Sequence, residues 1–523
     1  MGFGRPGLAA TQRSSAFWHD PGAWGTCGPI CSHQSPVDPP RLQPSIAMST
    51  TRFTSDVTGD PAAPKLHVVT FGCQMNKYDS GLVEGRFLRK GYATTDQIEE
   101  ADVVLFNTCS VRDHAEERTW SWVGELKKVK QERPDLVVGV LGCMAQRVEQ
   151  EIFKRAGHVD LVAGTRQFHH LPRMVDELRA RRADPNALPR DMHLLATDMA
   201  DDVEVDREGD TWIGGRHAYL AVMRGCDLNC TYCIVPTTRG RVRSRPIDDL
   251  VSEARWMVDN GVQVITLLGQ TVNSYGEDFP KPSGGPVGTG RQGRPSLADL
   301  LRALQEIDGL QRIRLITLHP SYVTHALAEA VRDCDKVDRF LPLPAQAGTD
   351  DMLKAMKRGY TLDLYRRRAD ILREVVPDIE LGSDWIVGFC GETEADQQGS
   401  EAFLEEQGFL VNYIFKYDPR PGTKADDRPD DVPTQLKKER HRRLMDVAER
   451  VQRARYESWI GRDTRVFVES VSERDGRVLL GRSIHGMAVS LRGPESLVGS
   501  MADVTVEEAT AYGMGGRLAE SAE

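Results

Sequence analysis

From Lys65 onward, short apolar runs alternate with stretches in which apolar residues recur at helical spacing. Leu66 to Phe71, Val103 to Phe106, Val137 to Leu141 and Val159 to Ala163 read as buried strands, each followed by a helical stretch, the last ending near Arg182. Near-continuous apolar strands separated by helices predict a parallel sheet covered on both faces, so residues 63–182 are expected to form a doubly wound parallel α/β domain. Residues 183–211, with Asp184-Pro185, Asp198 and Asp201-Asp202 and little period, read as a linker. Strand and helix units then resume, with strands near 218–223, 262–268, 313–318, 339–343, 381–387 and 411–416, and predict a partial (β/α)6 barrel over 212–455. The Gly- and Pro-rich stretch Glu277 to Pro295 is expected to be a loop at its rim. Past residue 456 the pattern changes to β-rich runs separated by turns, Thr464 to Val471, Val478 to Gly481, Met487 to Leu491 and Ala502 to Ala509. A small antiparallel β-barrel over 456–520 follows, either an oligonucleotide binder or a passive interaction module. Residues 1–62 are rich in Pro, Gly, Ser and Thr without an apolar period, which predicts a disordered extension. Cys27 and Cys31 there read as incidental, and Met48 is a plausible alternative start.

Cysteine gives this outline its chemistry. Directly after the first barrel strand, Cys226, Cys230 and Cys233 stand at C-x3-C-x2-C spacing on one loop. A four-iron cluster normally takes four thiolates, so three on one loop leave an iron open to a cofactor or substrate. Zinc is the competing reading, but a structural zinc site usually adds a second pair or histidines, and no fourth ligand follows nearby. In the first domain three strands also end in cysteine, at Cys73, Cys109 and Cys143. Loops at the carboxyl ends of neighbouring parallel strands converge on one crevice, so these three also suggest a three-thiolate site. Taken singly, each is equally a buried apolar cysteine.

Composition excludes several classes. Ten cysteines in 523 residues are too few for a disulfide scaffold, and their motif-like clustering favours a reduced, metal-binding, cytoplasmic protein. No apolar run reaches the length of a membrane span. A formal charge of −10 argues against indiscriminate polyanion binding, yet basic residues are segregated. Arg239, Arg241, Arg243 and Arg245 follow the cysteine loop, and Lys437, Lys438, Arg440, Arg442 and Arg443 crowd one stretch. Either group could contact phosphate. The second reads equally as a solvated helix face, because Glu439, Asp446 and Glu449 are interleaved with it.

With these features in place, the chain from about Lys65 to Arg517 resembles the methylthiotransferase family of radical S-adenosylmethionine enzymes. The segment Gly72-Cys-Gln-Met-Asn-Lys-Tyr-Asp-Ser80 is similar to its MiaB branch, the tRNA-2-methylthio-N6-dimethylallyladenosine synthases. So are Leu268-Gly-Gln-Thr-Val-Asn-Ser-Tyr275, Met356-Lys-Arg-Gly-Tyr-Thr361, Ser383-Asp-Trp-Ile-Val-Gly-Phe389 and Arg420-Pro-Gly-Thr423. Departures from the usual pattern are Ala345-Gln-Ala-Gly348, Cys390 and Thr271.

The resemblance implies a methylthiotransferase domain, a radical barrel and a C-terminal TRAM domain. It implies two [4Fe-4S] clusters, an auxiliary one on Cys73, Cys109 and Cys143 and one on Cys226, Cys230 and Cys233 that binds S-adenosylmethionine. The implied reaction installs a methylthio group at C2 of the isopentenylated adenosine beside the tRNA anticodon. That C2–H bond has no acidic proton and no leaving group, so a radical is needed. Tyr232, Gln270, Asn273, Gln346, Ser383 and Asp384 are expected to bind the cofactor, and Arg239, Arg241 and Arg245 the tRNA. His319 is given no role. Expected partners are the tRNA anticodon stem-loop and an electron donor such as flavodoxin or ferredoxin, with no membrane association and a monomeric state. Competing readings are a methylthiotransferase for threonylcarbamoyladenosine of tRNA or for a ribosomal-protein aspartate, and a nucleic-acid-binding protein with structural clusters.

Overall fold

The computed structural model describes residues 62–110, 113–184, 186, 188, 192–199 and 215–519. The expected extension up to residue 61, with Cys27, Cys31 and Met48, lies outside the described residues.

Six parallel strands form the first sheet: β1 (Lys65–Thr70), β2 (Ala93–Thr94), β3 (Val103–Thr108), β4 (Val137–Gly142), β5 (Leu161–Ala163) and β6 (Leu194–Ala196). Their spatial order is β2-β1-β3-β4-β5-β6. Alternate side chains serve opposite faces, as period two requires. Val104, Phe106, Val138 and Val140 pack with Val123 and Leu126 of helix Asp113–Glu132. Val103, Leu105, Val137 and Leu141 pack with Val83 and Phe87 of helix Gln74–Arg89 and with Leu171 and Val175 of helix Leu171–Ala183. The chain turns one way from β1 and the other way from β3, so their carboxyl ends flank a topological switch point, the usual ligand crevice of such sheets. The stretch expected to be only a linker, 183–211, supplies β6, which pairs with β5 through Leu161 and Leu194. Three residues in an acidic context are too short for a period to register.

Two three-stranded parallel sheets form the partial barrel. The first holds β7 (His217–Ala221), β10 (Val264–Leu268) and β11 (Arg312–Leu315), and the second β12 (Phe340–Pro342), β13 (Glu380–Val387) and β14 (Val411–Lys416). A parallel bridge from Ile313 to Val337 links β11 toward β12. Between β7 and β10, the short antiparallel pair β8 (Met223–Arg224) and β9 (Arg243–Ser244) clasps the cysteine loop at its base. One face of the barrel, carrying Leu220, Ile265, Ile313, Leu381 and Trp385, joins the largest apolar core beneath the surrounding helices.

Five strands, β15 (Asp463–Val471), β16 (Val478–Ser483), β17 (Ala488–Arg492), β18 (Met501–Ala509) and β19 (Met514–Leu518), close into a barrel in the order β15-β16-β17-β19-β18. The expected purely antiparallel barrel is corrected in one respect: β17 and β19 pair in parallel. Polar contacts from buried side chains dock it on the radical barrel. Arg312 holds Asp338 at 2.6 Å and donates to the carbonyls of Arg482 and Ser483. Trp459 and Arg455 both reach the buried Glu380 carboxylate. Among the described residues no helix is long and apolar enough to cross a membrane.

Candidate active site

The radical loop begins at Gly225, whose φ of +76° and closeness to the Arg241 carbonyl admit no side chain. The Cys226 N–H then bonds to the Gly240 carbonyl at 3.0 Å and the Cys233 N–H to the Cys230 carbonyl at 3.2 Å. Cys226 is buried, with its sulfur 3.6 Å from the Thr271 hydroxyl; Cys230 and Cys233 are half-buried. Burial raises the thiol of Cys226 and pushes that of Cys233 up to about 12. A second segment seals the loop: Thr231 bonds through its N–H to Met356 and through its hydroxyl to Ala355. There Arg358 donates Nη1 to both the Cys230 sulfur and the Tyr232 hydroxyl at 3.3 Å, and Nε to the Tyr360 hydroxyl. The Tyr232 ring meets Phe389 edge-on at 6.5 Å.

The strand-end cysteines build the other half. Gly72 and Gly142, with φ of +116° and +92°, turn the chain before Cys73 and Cys143. Cys73 caps helix Gln74–Arg89, Cys143 opens helix Cys143–Val148, and the side chain of Cys109 fills the space where Gly72 lacks one. Asn76 and Asn107 stitch the ends of β1 and β3 together. Asn76 donates to the carbonyls of Phe71 and Thr108, and Asn107 to the Asn76 carbonyl and the Ser80 hydroxyl. Asn76 also accepts the Cys73 thiol proton at 3.3 Å and Arg239 Nη2 at 3.2 Å. Arg239 comes from the helix directly after Cys233 and is buried against Asp79 at 2.9 Å. It therefore joins the two cysteine sites across the domain boundary. Burial raises the Cys143 thiol, with Arg239 opposing and Cys73 and Asp79 adding to the rise.

Among the described residues no group of three side chains converges on a single metal ion. A four-iron cluster asks for something else, one thiolate per iron around a cube, so its ligands stand apart. The donor chemistry fits such a group in both places: three soft sulfur ligands, largely withdrawn from water, with a buried arginine near each set. Coordination itself deprotonates a thiol, which removes the penalty that burial puts on Cys143, Cys226 and Cys233.

Of the residues expected to bind the cofactor, Gln270 has a buried Oε1 without a hydrogen-bond partner among the described residues. Tyr232 lies within the cysteine loop, and Gln346, in the left-handed region at φ +70°, bridges the backbone of Asp384 and Ile386. Asp384 is half-buried on the strand face opposite Trp385. Two others are engaged within the protein. Asn273 uses its amide on both the N–H and the carbonyl of His319, and Ser383 lies on the helix-facing side, where its hydroxyl accepts the Ala345 N–H. His319 is buried, with burial and then Arg358 holding its imidazole down at about 3.

The arginines also separate. Arg241 is exposed beside Asp227, whereas Arg239 is locked on Asp79 and Arg245 on Glu253 at 2.5 Å. In the run near 440, Lys437 is buried on Asp430, Arg440 on Glu392, and Arg443 is shared by Glu394 and Glu401. Pairing inside the protein is neither of the two readings of that run; the solvated face holds only for Lys438 and Arg442, which are exposed. Sequence reasoning missed Arg358, Asn76 and Asp79 as parts of the site. Their only signal was membership in the segments that carry the family resemblance.

Two family models match this architecture: the Uncharacterized protein family UPF0004 over residues 65–164 and the Radical SAM superfamily over residues 220–403. The class is thus a radical S-adenosylmethionine enzyme, which implies that cofactor and a [4Fe-4S] cluster. Over 451 residues the chain is 39% identical to the tRNA-2-methylthio-N(6)-dimethylallyladenosine synthase of Acetivibrio thermocellus, covering 86% of this chain and 90% of that one. It is 39% identical to the synthase of that name from Bordetella avium, over 88% and 93% of the two chains. To the synthase from Rhodopirellula baltica it is 37% identical, over 87% and 95%. The chain belongs to this family of tRNA methylthiotransferases.

Proposed function

We propose that the chain adds a methylthio group to C2 of N6-isopentenyladenosine next to the tRNA anticodon, using S-adenosylmethionine and two [4Fe-4S] clusters. Residues 63–182 would hold the auxiliary cluster on Cys73, Cys109 and Cys143. Residues 212–455 would hold the second on Cys226, Cys230 and Cys233, and residues 456–520 would serve as a TRAM domain. When bound, the cluster on the radical loop supplies the electron that splits S-adenosylmethionine, giving a radical able to attack an unreactive C–H bond. The protein's part is to position the cofactor and exclude water. Gln270 offers a polar group just past the end of β10 and Asp384 one within β13, Tyr232 offers a ring within the loop, and exposed Arg241 offers a phosphate contact. A base in a single-stranded loop can be splayed out and stacked in a pocket at modest cost. The partners in this reading are the anticodon stem-loop and flavodoxin or ferredoxin, with the chain acting as a cytoplasmic monomer.

One observation carries the two-cluster reading: three cysteines at the ends of neighbouring parallel strands, tied by Asn76 and Arg239 to the helix that follows Cys233. A single-cluster enzyme has no use for that set. Anaerobic reconstitution tests it and should give about eight irons per chain; about four would sink it. For the substrate, mass spectrometry of tRNA nucleosides from a strain lacking the chain should show the isopentenyl group retained and the 2-methylthio group lost. An unchanged level of the methylthiolated isopentenyladenosine, with loss of a mark on threonylcarbamoyladenosine or on a ribosomal-protein aspartate, would replace this substrate with one of those.

A further inference from the structure

Buried cations in this chain generally face a carboxylate: Arg239 meets Asp79, Arg312 meets Asp338 and Arg440 meets Glu392. Arg358 is as deeply placed, at 7% exposure, yet among the described residues no Asp or Glu lies within ion-pair distance of it. A charge removed from water without a counter-ion is costly, so this position asks for negative charge from something else. Its donors go to the Cys230 sulfur and the Tyr232 hydroxyl, both 3.3 Å from Nη1, and to the Tyr360 hydroxyl from Nε. Phenols are uncharged at neutral pH, which leaves the sulfur as the one neighbour that metal binding turns into an anion.

The backbone is arranged for this contact. Lys357 and Gly359, on either side of Arg358, both have positive φ, +57° and +74°. A lysine in the left-handed region stores strain of the kind that persists where the surroundings enforce it. The same turn is bound to the cysteine loop by the Thr231 N–H on the Met356 carbonyl, and internally by the Arg358 N–H on the Leu353 carbonyl. The position of Arg358 is thus fixed by the backbone contacts of its own turn.

We propose that Arg358 is a positioning residue that donates an N–H to the Cys230 thiolate of the radical cluster, offsets its negative charge and so eases its one-electron reduction, while orienting Tyr232. This rests on the assignment of a [4Fe-4S] cluster to Cys226, Cys230 and Cys233. Hydrogen bonds to cluster sulfurs and nearby charge are recognised levers on cluster potential. A planar fork reaching sulfur and hydroxyl together is a geometry lysine does not reproduce.

The test is a redox titration of the full, reconstituted chain followed by electron paramagnetic resonance, with dithionite as reductant. The signal perturbed by added S-adenosylmethionine identifies the radical cluster. In Arg358→Gln the reduction equilibrium should become at least tenfold less favourable, a fall of about 59 mV for one electron, with iron per chain unchanged. Arg358→Lys should show less than half of that fall. An unchanged potential in Arg358→Gln overturns the proposal. So does weaker S-adenosylmethionine binding at an unchanged potential, which would assign the cation to the cofactor carboxylate. Should Arg358→Gln take up no cluster, uptake by Arg358→Lys at the wild-type level supports a need for the charge, and loss in both overturns it. Iron content left unchanged by Cys226→Ala, Cys230→Ala and Cys233→Ala together would instead defeat the cluster assignment beneath it.

Discussion

Buried ionisable side chains around the two cysteine sites make testable demands on single residues. Asp79 is completely buried and neutralised by Arg239 at 2.9 Å, with Arg224 at 3.2 Å as a second partner. Removing one member of a buried pair typically costs about 3–5 kcal/mol, and Arg224 should keep Arg239→Met near the lower end. Chemical denaturation of the iron-free chain measures this; a change under about 1 kcal/mol would mean that the pair is not load-sharing. His319 gives a pH signature. Its imidazole titrates near 6.5 when unfolded and at about 3 in place, because burial and then Arg358 disfavour the cation. The unfolded chain therefore binds a proton that the folded chain refuses, so stability falls as pH drops from 6.5 toward 3, by at most about 1.4 kcal/mol per pH unit. His319→Gln should remove one proton from that slope, as read from denaturant midpoints across the range. The cysteines of the site were legible in the sequence because ligand spacing and strand ends are local patterns. Arg239 was read as a phosphate contact because its partner Asp79 is 160 positions away, and no local pattern announces burial at that distance.

Helix Thr434–Glu457 shows how a charge run changes meaning once it is an element. Lys437 and Arg440 point inward to Asp430 and Glu392, so neutralising either should lower stability and leave the salt dependence of tRNA binding unchanged. Arg241, outside that helix and exposed, predicts the reverse: Arg241→Ala should weaken tRNA binding uniformly across sequences and reduce the salt slope by about one. Filter binding at several salt concentrations tests both; the outcomes exchanged would return the phosphate role to the helix. Elements followed the apolar pattern wherever a core face gave it a period. Five strands had no such period, β2, β8 and β9 because each has only two residues. β6 has three half-buried residues, and β19 contains Gly515 and Gly516, whose missing side chains leave no alternation to read.

Across the whole molecule, the ends of β1 and β3 and the loop after β7 are held together by Asn76, Asp79 and Arg239. On the two-cluster reading, mutating either cysteine set should accordingly remove about four irons while leaving the other set loaded, because each cluster would be ligated within its own domain. Iron and acid-labile sulfide assays on Cys109→Ala and Cys230→Ala chains check this; loss of all iron from either variant would mean that the sites assemble only as a unit. The two-stranded clasp at the base of the cysteine loop, Met223 with Ser244 and Arg224 with Arg243, has a bearing on maintenance. Chain closure carries an entropic cost that must be met before distant ligands can act together. Here backbone pairing meets part of it, so a chain stripped of iron should take up iron and sulfide again without first being denatured, as circular dichroism during reloading would check.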